Sequence, residues 1–398
     1  MKFALISNVL PPSETAHAAI IQRLLRDLDA DSYCLLSSRD YTTGNQPTYS
    51  ERLAGKYYYL PTPFRSILPE RGLKGLRERL KGLIALGHRI VTIVRIIKRE
   101  KCKAVIVCTG GHEVLDFPAS FVASRLAGTS FYAYLLDQYS QMVSYIIGNS
   151  LLELVEPWIL PRAQGVIAPN EFLSKELTAR YKIKPVVIHN PCDLGVYQKN
   201  GLVDERVDIG GREIKIVYTG GLGRVHFDAF RNLLAAIESL GQKEVRLHLF
   251  IPQSKEASEK EGIRGRVVYH PHQPLSEMPT IQKGADILFL PLTFDSSYQD
   301  IVRTAAPGKM GEYLAARRPI LVHAPPDSFI AWYFRQYECG FVVDQNDPAR
   351  LAEGLERMLS DTALCERLAA RAWERAEADF ALPKARKQFA NLLGLQSG

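Results

Sequence analysis

The chain is poor in every residue pattern that would span a bilayer, staple a small secreted fold or hold zinc. Among 398 residues there are six cysteines, five methionines and three tryptophans. Cys34, Cys102, Cys108, Cys192, Cys339 and Cys365 stand singly, with no CxxC pair and no Cys/His spacing suited to zinc. They read as reduced structural thiols of a cytoplasmic protein, and no metal site is expected. No stretch reaches the roughly 18 apolar residues that cross a bilayer, so membrane association has to be peripheral. Lys2 followed by Phe3 to Leu10 and an Ala16-His17-Ala18 triplet has the outline of a signal peptide, but Ser7 and Asn8 interrupt the apolar run and Pro11-Pro12 follow it. A buried strand entering a loop fits better. Disordered, collagenous and repeat compositions are also absent: 46% of residues are hydrophobic and 23% charged, the globular average. At roughly 150 residues per domain, the length suits two domains.

The charge is unevenly placed. Fifty Lys and Arg against 43 Asp and Glu give +7, yet Arg65 to Lys103 alone holds twelve basic and three acidic residues, a local +9. The rest of the chain is slightly acidic. Such localisation argues against a nucleic-acid coat and for a local contact with something anionic, a phosphorylated substrate or a membrane surface. In that segment Leu73, Leu76, Leu80, Leu83, Ile90, Val94 and Ile97 follow helical steps, with Lys74, Arg77, Arg79, Lys81 and Arg89 off that line. A basic amphipathic helix packs on its own sheet or dips into anionic headgroups. Lys74, Arg77 and Lys81 are the candidate membrane contacts.

Short apolar runs alternate with helical patterns along the chain. Phe3 to Ser7 leads into Ile20, Ile21, Leu24, Leu25 and Leu28, and the same order recurs as Ile214 to Thr219, then Gly220-Gly221-Leu222-Gly223, then Phe227, Phe230, Leu233, Leu234 and Ile237. Further strands are expected at 104–108, 130–136, 165–168 and 186–189, and at 245–250, 267–269, 287–290, 320–322 and 340–343. Runs that do not alternate belong to parallel sheets covered on both faces. The expectation is an α/β protein of two doubly wound Rossmann-like domains facing a cleft. The first covers 1–198, a polar linker 199–212, the second 213–380, and a terminal helix 381–398 can pack on either. Ligands of such sheets sit at the carboxyl ends of the strands.

Two stretches carry candidate chemistry. Gly220-Gly221-Leu222-Gly223-Arg224 lies between a strand and a helix, where free backbone amides make either a phosphate site or merely a tight turn. It lacks the third glycine of a GxGxxG dinucleotide fingerprint. Pro307-Gly308-Lys309-Met310-Gly311-Glu312-Tyr313-Leu314-Ala315 precedes the strand at Ile320. Lys309 and Glu312 are three apart and share a helix face, a cation for phosphate beside a carboxylate able to accept two hydroxyl hydrogen bonds. An ordinary surface ion pair at a helix start is the competing reading.

The second stretch resembles the donor-site helix of family 4 glycosyltransferases and their GT-B relatives, a Pro-x-Lys-x-x-Glu-Tyr-Leu-Ala pattern before a Pro-Ile-Leu strand. Val186 to Asp193, with Asn190-Pro191-Cys192-Asp193, resembles that family's Asn-Gly-x-Asp loop, and the segment after Asp347 its C-terminal helices. The resemblance spans nearly the whole chain and is strongest from Tyr218 to Phe380. It implies a GT-B enzyme that moves a sugar from a nucleotide-diphosphate-sugar donor to a glycan or lipid-linked acceptor. Retention, independence of metal and the absence of a cofactor are implied with it. It also implies Glu312 on the nucleotide ribose, and Gly220, Gly221, Lys309, Arg224 and Arg303 around the donor phosphates. Ser13, Glu14 and Thr15 fall in the acceptor or phosphate loop, and His112 and Asp137 at strand ends become the candidate catalytic residues. Two departures stand out: Thr304 takes the place of the family's first motif glutamate, and Gly221 that of its loop arginine. They keep a non-catalytic nucleotide-sugar-binding relic open as an alternative, beside a nucleotide-sugar 2-epimerase. Surface-polysaccharide assembly at the inner face of the membrane suits the family and the charge.

Overall fold

The apolar runs are buried on both sides, as strands of a helix-covered parallel sheet must be. The computed structural model describes residues 1–13, 15–41, 51–60, 73–110, 114–136, 139–140, 154–199, 213–223, 226–242, 244–271 and 273–395, with side chains of the helix Leu73–Arg99 from residue 81 onward. The chain divides into two compact units, Met1–His189 with Ala385–Gly398, and Asn190–Lys384.

In the first unit, strands β1 Phe3–Ile6, β2 Tyr33–Ser37, β3 Lys56–Tyr59, β4 Ala104–Thr109, β5 Ser130–Leu135, β6 Gly165–Ala168 and β7 Val186–Val187 form one sheet in the order β3-β2-β1-β4-β5-β6-β7. All its pairings are parallel, with Phe3 opposite both Tyr33 and Ala104. Alternate residues feed two cores. Ala4, Ile6, Val105, Val107 and Ala133 pack under the helices Leu73–Arg99 and Asp116–Ala127, and Phe3, Leu5, Ile106 and Tyr134 under Ala16–Leu25. The terminal helix Leu382–Leu393 adds Ala385, Phe389 and Leu393 to the second of these cores. The six cysteines are unbridged and buried, with Cys34 and Cys102 3.7 Å apart at sulfur.

In the second unit, β8 Ile214–Thr219, β9 Val245–Phe250, β10 Val267–His270, β11 Ile287–Pro291, β12 Ile320–His323 and β13 Phe341–Val343 run parallel in the order β10-β9-β8-β11-β12-β13. Ile216, Tyr218, Leu247, Phe289 and Leu321 pack under the helices Phe227–Ser239 and Pro348–Ser360. Val217, Leu288, Leu290 and Val322, on the other face, are equally buried.

Three expectations change. Residues 190–198, read as part of the first domain, belong to the second unit: Cys192 N–H donates to Phe380 O at 2.8 Å, Leu382 N–H to Cys192 O at 3.1 Å, and the Tyr197 hydroxyl to Gln282 at 2.6 Å. The expected linker lies, beyond Lys199, outside the described residues. β2 and β3 were not anticipated. In the basic helix, the stripe is also rotated. Leu83 is 65% exposed, whereas Arg89 is only 1% exposed. Arg89 occupies the buried face because Asp116, in the first turn of the next helix, pairs with it at 2.7 Å, so this cation is spent inside the fold. Lys81 is half-buried, and the side chains of Lys74 and Arg77 lie outside the described residues.

Candidate functional site

In the second unit, β8 and β11 are neighbours, but the chain leaves β8 for β9 on one side and reaches β12 from β11 on the other. Loops diverge at such a point and leave a crevice at the carboxyl ends of the strands. The loop after β8 opens with Gly220 at φ +109°, left-handed space that favours glycine. A Cβ there would also lie 3.2 Å from Lys309 Cε, so the glycine lets the lysine lie against the loop. Gly220 N–H is spent on Phe250 O at 3.0 Å, and Leu222 N–H on the Gln253 side chain at 3.1 Å. Among the described residues the N–H groups of Gly221 and Gly223 have no acceptor. The phosphate-binding amides expected from Gly220 to Gly223 therefore reduce to these two.

Lys309 ends the turn that begins the helix Met310–Ala315. Its ammonium donates to Tyr218 Oη at 3.0 Å and lies over the Tyr218 ring, 4.3 Å from the centroid. The Tyr218 hydroxyl in turn donates to Gly221 O at 2.8 Å, joining lysine, strand end and loop. Burial pushes the lysine pKa below the usual ammonium range, opposed by the nearby Tyr313 and Glu312; burial also pushes the Tyr218 phenol up. His226, at the start of Phe227–Ser239, stacks edge-on to Tyr218 with centroids 6.1 Å apart. Burial, with the charge of Lys309 adding to it, pushes its pKa down to about 3. It is thus neutral at pH 7 and no substitute for the missing loop arginine; its Nδ1 is buried without a hydrogen-bond partner among the described residues.

Glu312 is 9% exposed and accepts from Gln282 Nε2 at 3.2 Å. The same amide reaches Thr219 Oγ1 at 3.2 Å, and Thr219 N–H donates to Tyr313 Oη at 2.9 Å. Asp228, in the first turn of Phe227–Ser239, accepts from the N–H groups of Phe294 and Asp295 at 2.7 and 3.0 Å, fixing the loop that follows β11. Asn190 donates to Ala306 O at 2.9 Å, just before Pro307-Gly308-Lys309. Thr304, in the motif-glutamate position, is 7% exposed and donates to Asp300 O within its own helix. Arg303 pairs with Asp300 at 3.7 Å.

The structure brings Gly220, Gly221 and Lys309 together and puts Glu312 one turn along the helix. Arg224 lies outside the described residues, as do Glu14, His112 and Asp137. In the first unit Thr15 caps the helix Ala16–Leu25, accepting from Ala18 N–H at 3.2 Å, and Ser13 N–H closes a turn onto Leu10 O. Sequence reasoning missed Tyr218, Gln282 and His17. Tyr218 is hidden in an apolar strand and Gln282 in a short mixed helix, Met-Pro-Thr-Ile-Gln-Lys; His17 packs against Gly110 after β4, too close for a side chain there. Among the described residues no group of three or more His, Cys, Asp or Glu is arranged to hold a metal, and no helix is long and apolar enough to cross a membrane.

Residues 213–361, the segment that carries this site, match the family model described as glycosyl transferases group 1. Solved structures cover the whole chain. Sucrose-phosphate synthase from Thermosynechococcus elongatus superposes with a TM-score of 0.67 at 15% identity, over 99% of this chain and 98% of that one. HepE of Anabaena, solved in complex with UDP-glucose, gives 0.67 at 15% over 100% of both. The α,α-trehalose 6-phosphate synthase of Burkholderia multivorans gives 0.66 at 11%, over 99% and 98%. The chain has the GT-B fold. No curated protein sequence matches it. Within the GT-B frame, the glycine loop, Lys309 and Glu312 all belong to the segment that the family model matches.

Proposed function

We propose that the protein transfers a sugar from a nucleotide-diphosphate-sugar donor to a glycan or lipid-linked acceptor, with retention and without metal or other cofactor. The observation that carries this reading is Lys309. It is a half-buried cation whose hydrogen-bond partner is a phenol, beside two loop amides that have no acceptor among the described residues and a carboxylate one turn away. A diphosphate supplies the missing negative charge, and a ribose diol suits the carboxylate. The family match over the same segment supports the reading, as do the structures of HepE with UDP and UDP-glucose.

In this scheme Lys309 and the Gly221 and Gly223 amides stabilise the diphosphate as it leaves the sugar, with Arg224 or Arg303 assisting. Charge that develops in the transition state meets donors already in place. Glu312 holds the ribose. His112 and Asp137 are assigned to the sugar and acceptor, and Ser13, Glu14 and Thr15 to the acceptor loop. The basic helix, through Lys74, Arg77 and Lys81, contacts an anionic membrane surface at the cytoplasmic face.

The test is transfer and donor hydrolysis with a panel of UDP-, GDP- and ADP-sugars. Normal activity of Glu312→Ala with unchanged donor affinity would sink the assignment of that residue. Tight nucleotide binding with no turnover on any donor would make the protein a binding relic, the outcome that Thr304 in the glutamate position favours. Appearance of a C2 epimer without acceptor would make it an epimerase. The membrane contact is checked with liposomes. Binding should require anionic lipid, weaken with salt and vanish when Lys74, Arg77 and Lys81 are reversed in charge.

A further inference from the structure

Gln282 lies on the helix Met278–Lys283 and is completely buried. Its amide has three partners: Tyr197 Oη at 2.6 Å, Thr219 Oγ1 at 3.2 Å and Glu312 Oε2 at 3.2 Å. A carboxylate oxygen accepts, so the end of the amide that faces Glu312 is the NH2 group, and the Tyr197 hydroxyl must donate to the carbonyl. The second amide hydrogen goes to Thr219, whose hydroxyl passes its own proton toward Tyr313 Oη at 3.4 Å. The hydrogen bonds therefore run in one direction, from Tyr197 through Gln282 to Glu312.

We propose that Gln282, held by Tyr197, is the positioning residue of the nucleoside site. It bonds Glu312 Oε2 and fixes the rotamer in which the carboxylate accepts from the 2′- and 3′-hydroxyls of a ribose. This rests on the reading of Glu312 as the ribose acceptor and goes beyond it, because it assigns the preference for ribo- over deoxyribonucleotides to a residue that touches no ligand. A glutamate free to sample its rotamers would lose about tenfold in affinity on being ordered by the ligand. A buried amide bonded at both ends meets that cost during folding.

The experiment measures, by calorimetry, the affinity of whichever of UDP, GDP and ADP the protein binds, and of its 2′-deoxy counterpart. The unmodified protein should prefer the ribonucleotide by about 10- to 100-fold, the worth of one hydrogen bond to a charged group. Gln282→Leu should bring that preference below threefold by weakening ribonucleotide binding, with deoxynucleotide affinity within threefold of the original. Tyr197→Phe removes one hydroxyl and keeps the ring, and should give an intermediate preference; it alone decides if Gln282→Leu does not fold. An unaltered preference in these variants, or equal weakening of both nucleotides, overturns the proposal. A protein that does not discriminate before mutation overturns the Glu312 reading itself, which is a different result.

Discussion

Replacing Lys309 by methionine separates binding from stability. In the free protein its ammonium is 3.0 Å from the Tyr218 hydroxyl and over the ring, and burial holds its pKa below that of an ordinary lysine. The folded state thus binds fewer protons at this group than the unfolded state between the two pKa values. The cost of burying the cation is fully present below the folded pKa and is relieved as pH rises through it. Methionine keeps the length and removes the charge, so the melting temperature at pH 7 should hold or rise, and the alkaline gain in stability should flatten. Binding should move the other way. A phosphate about 4 Å from the ammonium gains about 4 kcal/mol at an effective dielectric of 20, and a net of about 1.5–3 kcal/mol after desolvation. Lys309→Met should therefore weaken nucleoside diphosphate binding about 10- to 100-fold. The phosphate also draws the lysine pKa back up, so nucleotide binding in the alkaline range should take up a proton. Calorimetry in two buffers of different ionisation enthalpy would report that proton in the parent protein and not in the variant. Affinity within threefold of the parent, or a binding loss that merely follows a fall in melting temperature, would refute the reasoning.

Other perturbations test the frame. Arg89→Met leaves Asp116 buried without its ion partner and should cost about 3–5 kcal/mol in urea unfolding. Replacing both by apolar residues of similar volume should recover most of it. Gly311→Ala puts a Cβ 2.9 Å from Phe380 Cδ1 and should cost about 1–3 kcal/mol by overpacking, with weaker nucleotide binding because Glu312 is the next residue. Glu100, bonded to Lys2 and Tyr58, has its pKa pulled down to about 2. Its contribution, about 3 kcal/mol, is complete above about pH 5 and lost as pH falls toward 2. Glu100→Gln should flatten the acid limb of a stability curve measured by denaturant unfolding.

The sequence was legible where hydrophobic burial alone decides structure. Continuous apolar runs such as Ala104–Thr109 and Ile287–Pro291 had to be strands covered on both faces. β3 was not legible because Lys-Tyr-Tyr-Tyr at the sheet edge is only partly buried, and β2 because its run follows a single 3-10 turn with no glycine or proline to announce it. In the basic helix both faces hold enough leucine and isoleucine to be buried. The choice falls to the Arg89–Asp116 pair, a contact across 27 residues that periodicity cannot see. In the site, Lys309 and Glu312 were visible because both chemistries sit within four residues. Gln282 and Tyr197 were not, since a buried glutamine is known only by what it touches, and its partners lie 30 to 85 residues away.

The second unit is an insert: the chain enters it at Asn190, leaves at Lys384, and pairs Cys192 with Ala381 where the two passages meet. Phe389 and Leu393, which complete one face of the first unit beside Phe3, Ile21 and Leu25, are therefore made only after the whole insert. At about 5–20 residues per second, the ribosome needs roughly 10–40 s to synthesise it. During that time the older part of the chain waits with an apolar face uncovered. This order of manufacture makes a nascent chain stalled before Leu382 a natural client for a chaperone, even though every strand from β1 to β13 has already been synthesised.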